Sequence, residues 1–170
     1  MSTLNWPPGR TVKIAPRANQ PSISLTVHET GDGPAVVFCH GFPELAYSWR
    51  HQLPVVAAAG FRAIAPDQRG YADSSAPPPI TDYGLTELTG DMAGMLDALK
   101  IDRAIFVGHD WGGFVAWAMP LLYPERTAGV VGSALLTWQS RRPRSCARWS
   151  TARTSACTSC GSRNPGVLRA

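Results

Sequence analysis

Ten residues, Ala104-Ile-Phe-Val-Gly108-His109-Asp110-Trp111-Gly112-Gly113, constrain this chain more than any others. Four apolar residues read as a short buried strand, and a Gly-x-Asp-x-Gly pentapeptide turns sharply into an apolar, helix-forming run from Phe114. Glycine at 108 and 112 leaves room where a Cβ would strike the closely approaching strand or helix. Such a strand-turn-helix holds one side chain exposed at its apex, the layout of a nucleophile elbow. That side chain is Asp110.

The rest of the chain supplies a setting for such a turn. Thr11–Ile14 and Ser22–His28 alternate apolar and polar residues and are predicted as two antiparallel strands at a sheet edge. Ala35–Cys39 is continuously apolar, as a strand covered on both faces would be, and ends in His40-Gly41-Phe42-Pro43-Glu44. Leu45–Gly60 has helical spacing, and Arg62–Pro66 is a further buried strand that ends in Asp67-Gln-Arg-Gly70. Leu85, Leu88, Met92, Met95, Leu96 and Leu99 follow a helical period, with Thr86 as the expected N-cap, and Ala128–Leu135 reads as a last strand. Strands alternating with helices imply an α/β fold, a mostly parallel sheet with helices on both faces. Ligands bind beyond the carboxyl ends of such strands. Three strands here end in distinctive turns: 40–44, 67–74 and 108–113.

Charge divides the chain in two. Residues 1–135 hold all 12 acids and nine of the 16 Lys and Arg, a net −3, whereas residues 136–170 hold seven Arg and no acid. From about Leu135 the periodicity also stops, and the composition turns to Arg, Ser, Thr, Ala and Gly. On composition the 136–170 segment is expected to be disordered, with too little apolar surface to offset its ordering entropy. Met1–Arg10 lacks the pattern of a signal peptide, and the apolar stretch Phe114–Tyr123 is too short to span a bilayer. A cytoplasmic location, no membrane association, no cofactor and no metal are the expectations.

The three turn motifs, in this order and spacing and with Leu88-Thr-Gly-Asp-Met92 ahead of the third, resemble an α/β-hydrolase of the epoxide hydrolase type over roughly residues 10–135. The resemblance implies that Asp110 is a nucleophile that opens an epoxide to an alkyl-enzyme ester. Water activated by a His, itself oriented by an acid, then releases the diol, and two lid tyrosines hydrogen-bond the epoxide oxygen. Carboxylate chemistry agrees, because a carboxylate attacks strained or halogenated sp³ carbon and forms a covalent ester. The backbone N–H groups of Phe42 and Trp111 are the expected oxyanion hole. His40, Gly41, Pro43, Gly108, His109, Gly112 and Gly113 support these motifs. Blander roles fall to the other candidates. His40 supports a loop, Asp67 and Arg69 hold theirs together, His28 and His51 are strand and helix surface residues, and Cys39 is buried in its strand. Cys146, Cys157 and Cys160 lack a structural frame for a metal or redox site.

The chain also departs from that pattern. In this fold the acid and the His follow the nucleophile in sequence. After Asp110 there is no His, the only acid is Glu125, and residues 136–170 contain no Tyr. The expectation is an incomplete domain that lacks its lid and last strands, followed by a tail of different origin (a frameshift would produce one), with the last strand left as an uncovered edge. Such a chain is expected to turn over at most once. Pro120 within the helix after Asp110, and Ala72 where the family commonly has Gly, are smaller departures. Besides an epoxide, an organohalide is the alternative substrate, as in haloalkane or haloacid dehalogenases, which share the Asp and the following Trp. Phe42 favours the epoxide, since haloalkane dehalogenases tend to carry Asn there. A reading of another class makes the arginines a nucleic-acid-binding arm, which their lack of a helical face and of aromatic interleaving disfavours. A complementing second chain and homo-oligomer formation are left open.

Overall fold

The computed structural model describes residues 6–17 and 21–133, and the expectations for the 136–170 tail and for the end of the last strand lie outside them. In chain order the elements are β1 (Arg10–Ile14), β2 (Ile23–Thr30), β3 (Ala35–Cys39), α1 (Gln52–Ala58), β4 (Arg62–Asp67), α2 (Leu85–Ala98), β5 (Ala104–His109), α3 (Trp111–Leu122) and β6 (Thr127–Ser133), with short 3-10 turns at Ala46–Trp49, Ile80–Tyr83 and Pro124–Arg126. They form one six-stranded sheet in the order β1-β2-β4-β3-β5-β6.

The apolar patterns explain the layers. β3 is buried along its whole length, and its residues alternate between two cores. Val37 and Cys39 face Met92, Met95 and Leu96 of α2 and Val115, Ala116 and Met119 of α3. Val36 and Phe38 face Trp49 and Leu53 on the opposite side. Helices therefore cover both faces, as expected. β1 and β2 are antiparallel additions, whereas β4-β3-β5-β6 run parallel. Parallel pairing brings the C-terminal ends of β3, β4 and β5, and so all three turns, to one end of the sheet.

Three local expectations are corrected. The stretch 45–60 is a 3-10 turn and then α1, not one helix. Pro54 falls in the first turn of α1, where no N–H is needed; a helix continuous from Leu45 would require that missing donor. The N-cap of α2 is Gly84, since Leu88 N–H already closes the first turn on Gly84 O at 3.0 Å, so Thr86 lies inside the helix. His28 is not a surface residue: its ring lies 4.6 Å from Trp6, its Nδ1 is 2.9 Å from Pro7 O and its Nε2 3.5 Å from Asp67 Oδ2. The N-terminal segment folds over it. His51 is exposed and Cys39 fully buried, as expected. α3 passes through Pro120 and ends two residues later, so the lost donor affects only its last turn. Ala72 adopts φ +45°, the left-handed region that favours Gly. Among the described residues β6 pairs only with β5. No helix among them is long and apolar enough to cross a membrane.

Candidate active site

The turn between β5 and α3 is tight because glycine permits it. A Cβ on Gly108 would run into the Gly112 carbonyl and Gly113, and one on Gly112 would meet the carbonyls of Cys39 and His40. Gly113 N–H bonds back to Asp110 O at 3.0 Å and closes the turn. At its apex Asp110 takes φ +51°, ψ −122°, a costly conformation for a residue with a side chain. Strain of this kind persists only where the surroundings enforce it. The β3 loop presses from the other side, since a Cβ on Gly41 would approach Asp110 Cβ to 2.7 Å.

The Asp110 carboxylate is held by backbone. Phe42 N–H donates to Oδ1 at 3.0 Å. The N–H groups of Phe42 and, next, Trp111 draw the Asp110 pKa below its ordinary 3.8, against a smaller opposing effect of burial. The two donors expected from the sequence thus meet the same carboxylate. Phe42 and Pro43 are joined by a cis peptide bond, and the Phe42 ring is exposed.

The neighbouring polar groups are spoken for. His40 is fully buried; its Nε2 accepts from Gln68 N–H at 3.1 Å, which leaves Nδ1 to donate to Gly41 O at 2.9 Å. Burial lowers the His40 pKa, so the ring is a neutral strut between two loops. His109 turns away to Glu44, with Nδ1 3.6 Å from Glu44 Oε2. Asp67 caps the turn at Ala46, its Oδ1 accepting from Ala46 N–H at 2.8 Å. Arg69 is fully buried and forks onto Asp91, with Nε 2.5 Å from Oδ2 and Nη2 2.6 Å from Oδ1. Glu125 is exposed in the turn after α3.

A cavity of about 210 Å³ opens beside these residues, walled by Phe42, Tyr71, Tyr83, Leu88, Trp111 and Val115, with His40, Gly41, Gln68 and Arg69 behind. Its wall includes the two residues whose N–H groups grip Asp110. The arrangement presents an ionised carboxylate, fixed by two donors, at the rim of a largely apolar hollow. Sequence reasoning missed Gln68, Tyr71 and Asp91 as partners here. Asp91 left a signal: a charged residue at helical spacing between Leu88 and Met95, on the side of α2 that the apolar pattern buries.

Comparison with known proteins bears on this geometry. The alpha/beta hydrolase fold family matches residues 34–154. An epoxide hydrolase of Caballeronia sordidicola is 56% identical over 110 residues, covering 65% of this chain and 33% of its own length. Epoxide hydrolase A of Mycobacterium tuberculosis is 52% identical over 110 residues, 64% of this chain and 34% of that protein. Among solved structures, epoxide hydrolase A from Mycobacterium thermoresistibile superposes with a TM-score of 0.67 at 48% identity, over 74% of this chain and 38% of that one. An epoxide hydrolase from Vigna radiata gives 0.67 at 43% identity, over 73% and 37%. The chain thus spans about a third of the length of the relatives it matches.

Proposed function

The chain belongs to the alpha/beta hydrolase fold family, and we propose that it carries the alkylating half of an epoxide hydrolase site. The observation that carries this reading is Asp110, strained at its apex, with one carboxylate oxygen held by Phe42 N–H and an apolar cavity alongside. With Oδ1 held, the other oxygen is free to attack an epoxide carbon. The new C–O bond makes an ester, and the epoxide C–O bond breaks with its electron pair leaving on oxygen. The Phe42 and Trp111 N–H groups then face the ester carbonyl and stand where negative charge would develop when water attacks it. The names of the relatives support an epoxide as the small-molecule substrate. We also place the protein in the cytoplasm.

The second half of the reaction needs a base to activate water. All four His of this sequence precede Asp110. His28 and His40 are engaged elsewhere, His51 is exposed and His109 points to Glu44. These 170 residues therefore form the ester and keep it.

Intact-mass measurement and peptide mapping after incubation with 1,2-epoxybutane test the reading. The expected result is one adduct per chain, on the Asp110 peptide and absent from Asp110→Asn. No adduct, or an adduct elsewhere that persists in Asp110→Asn, refutes it. Adduct formation by 1-bromobutane but not by the epoxide would mark the site as a dehalogenase instead.

A further inference from the structure

We propose that a second cavity, bordered by His109 rather than by Trp111, binds a small alkylammonium ion. It has a volume of about 190 Å³ and is walled by Glu44, Ser48, Trp49, Gln52 and His109. None of these residues lines the cavity beside Trp111. The proposal goes beyond the reading of Asp110 and does not depend on it.

The two cavities differ in how their polar groups are spent. In the first, the ring nitrogens of His40 are bound to Gly41 O and Gln68 N–H, the Gln68 amide donates to His40 O at 2.7 Å, and Arg69 forks onto Asp91. In the second, the Ser48 hydroxyl, the Gln52 side-chain amide and His109 Nε2 make no hydrogen bond within the described residues. Glu44 commits one oxygen only: Oε2 accepts from Gly41 N–H at 3.4 Å and lies 3.6 Å from His109 Nδ1. These groups come from four places in the chain: the loop after β3, the 3-10 turn, the start of α1 and the end of β5. They converge with most of their hydrogen-bonding capacity unused.

Charge and donor count select the ligand. The wall holds one carboxylate and no Lys or Arg, so an anion is repelled. In its neutral form, with Nδ1–H toward Glu44, the His109 ring presents Nε2 as an acceptor, and the oxygens of Ser48 and Gln52 accept as well. An ammonium group matches such a wall, since it carries a positive charge, three donors and no acceptor. Trp49 is only 8% exposed and its indole N–H is buried without a partner, so the residue adds apolar floor rather than a donor. That floor suits a short alkyl chain. Glu44 and His109 are 32% and 36% exposed, so solvent screens the charge and the affinity is on the order of millimolar.

NMR titration of the isotope-labelled full chain with n-butylammonium chloride, at about pH 8 so that histidine is neutral and the amine charged, tests this. The expected result is saturable shifts of the Gln52 side-chain amide and the His109 ring, with weaker binding of 1-butanol and none of butyrate. Glu44→Gln removes the charge and should weaken binding about tenfold, the worth of a hydrogen bond to a charged group. Added salt should weaken binding to the unaltered chain more than binding to that variant. Gln52→Ala, at an exposed position, should also weaken it, and the remaining resonances report whether each variant is folded. Nα-acetyl-lysine amide separates two sources of the same group: tighter binding than n-butylammonium assigns the ammonium to a partner's lysine, weaker binding to a free amine. Shifts that never saturate, equal binding of 1-butanol, or undiminished binding to folded Glu44→Gln would overturn the proposal. Labelling of Asp110 by 1,2-epoxybutane is a separate readout, so failure of either reading leaves the other standing.

Discussion

The turns at 108–113 and 67–74 both follow buried parallel strands and both end at the same edge of the sheet, yet they treat charge in opposite ways. The second hides Asp67, Arg69 and Ser74 and satisfies them: Asp67 on Ala46 N–H, Arg69 on Asp91, Ser74 Oγ on the Asp67 carbonyl at 2.6 Å. The first leaves a carboxylate exposed on a strained backbone and aims two N–H groups at it. A buried charge is tolerable only when it is fully paired. An exposed one that is held by fixed donors stays ionised and reachable. The turn at 67–74 stores structure, the turn at 108–113 reactivity.

The contrast can be broken from either side. The largest effect is expected from Gly112→Ala, whose new Cβ meets two backbone carbonyls that cannot move without separating β3 from α3. A loss on the order of 5 kcal/mol would unfold most domains of this size, and circular dichroism on heating would show it. Asp91→Ala should come next. It leaves the Arg69 guanidinium buried without a counter-charge, only backbone carbonyls remaining on it, a loss of about 3–5 kcal/mol by urea titration, while Asp110 stays gripped by Phe42 and Trp111 in the fraction that remains folded. Ala72→Gly sharpens the comparison in the other direction. It relieves a left-handed φ in the structural turn and should stabilise by about 0.5–1 kcal/mol, seen as a small rise in melting temperature with no change in reactivity at Asp110. The smallest signature is in pH. Since the N–H groups lower the Asp110 pKa, the fall in alkylation as the carboxylate takes up a proton should be centred below pH 3.8. A fall centred above 3.8 would mean that the donors are not holding the carboxylate in solution.

Much of this was readable in the chain because tight turns demand particular residues. The glycines at 108 and 112, and the apolar runs at 35–39 and 104–107, announce β3, β5 and the turn at Asp110 without reference to anything distant. The facing N–H of Phe42 could be expected because its loop follows a parallel strand beside β5. What could not be read depends on pairing across the fold. The Arg69 fork onto Asp91 spans 22 positions, and the Gln68 clamp on His40 spans 28. His28 looked like a surface residue because strand alternation does not reveal that Trp6 will cover it. The break in the 45–60 helix was written in Pro54, but apolar spacing outweighed it.

The central claim is that these 170 residues alkylate and stop. Counting diol released per chain during prolonged incubation with 1,2-epoxybutane tests it most directly. The account predicts at most one epoxide consumed per chain, retained on Asp110, with diol well below one equivalent. Steady diol release far above the amount of protein, lost in Asp110→Asn, would contradict it and would show that a residue already in this chain activates water.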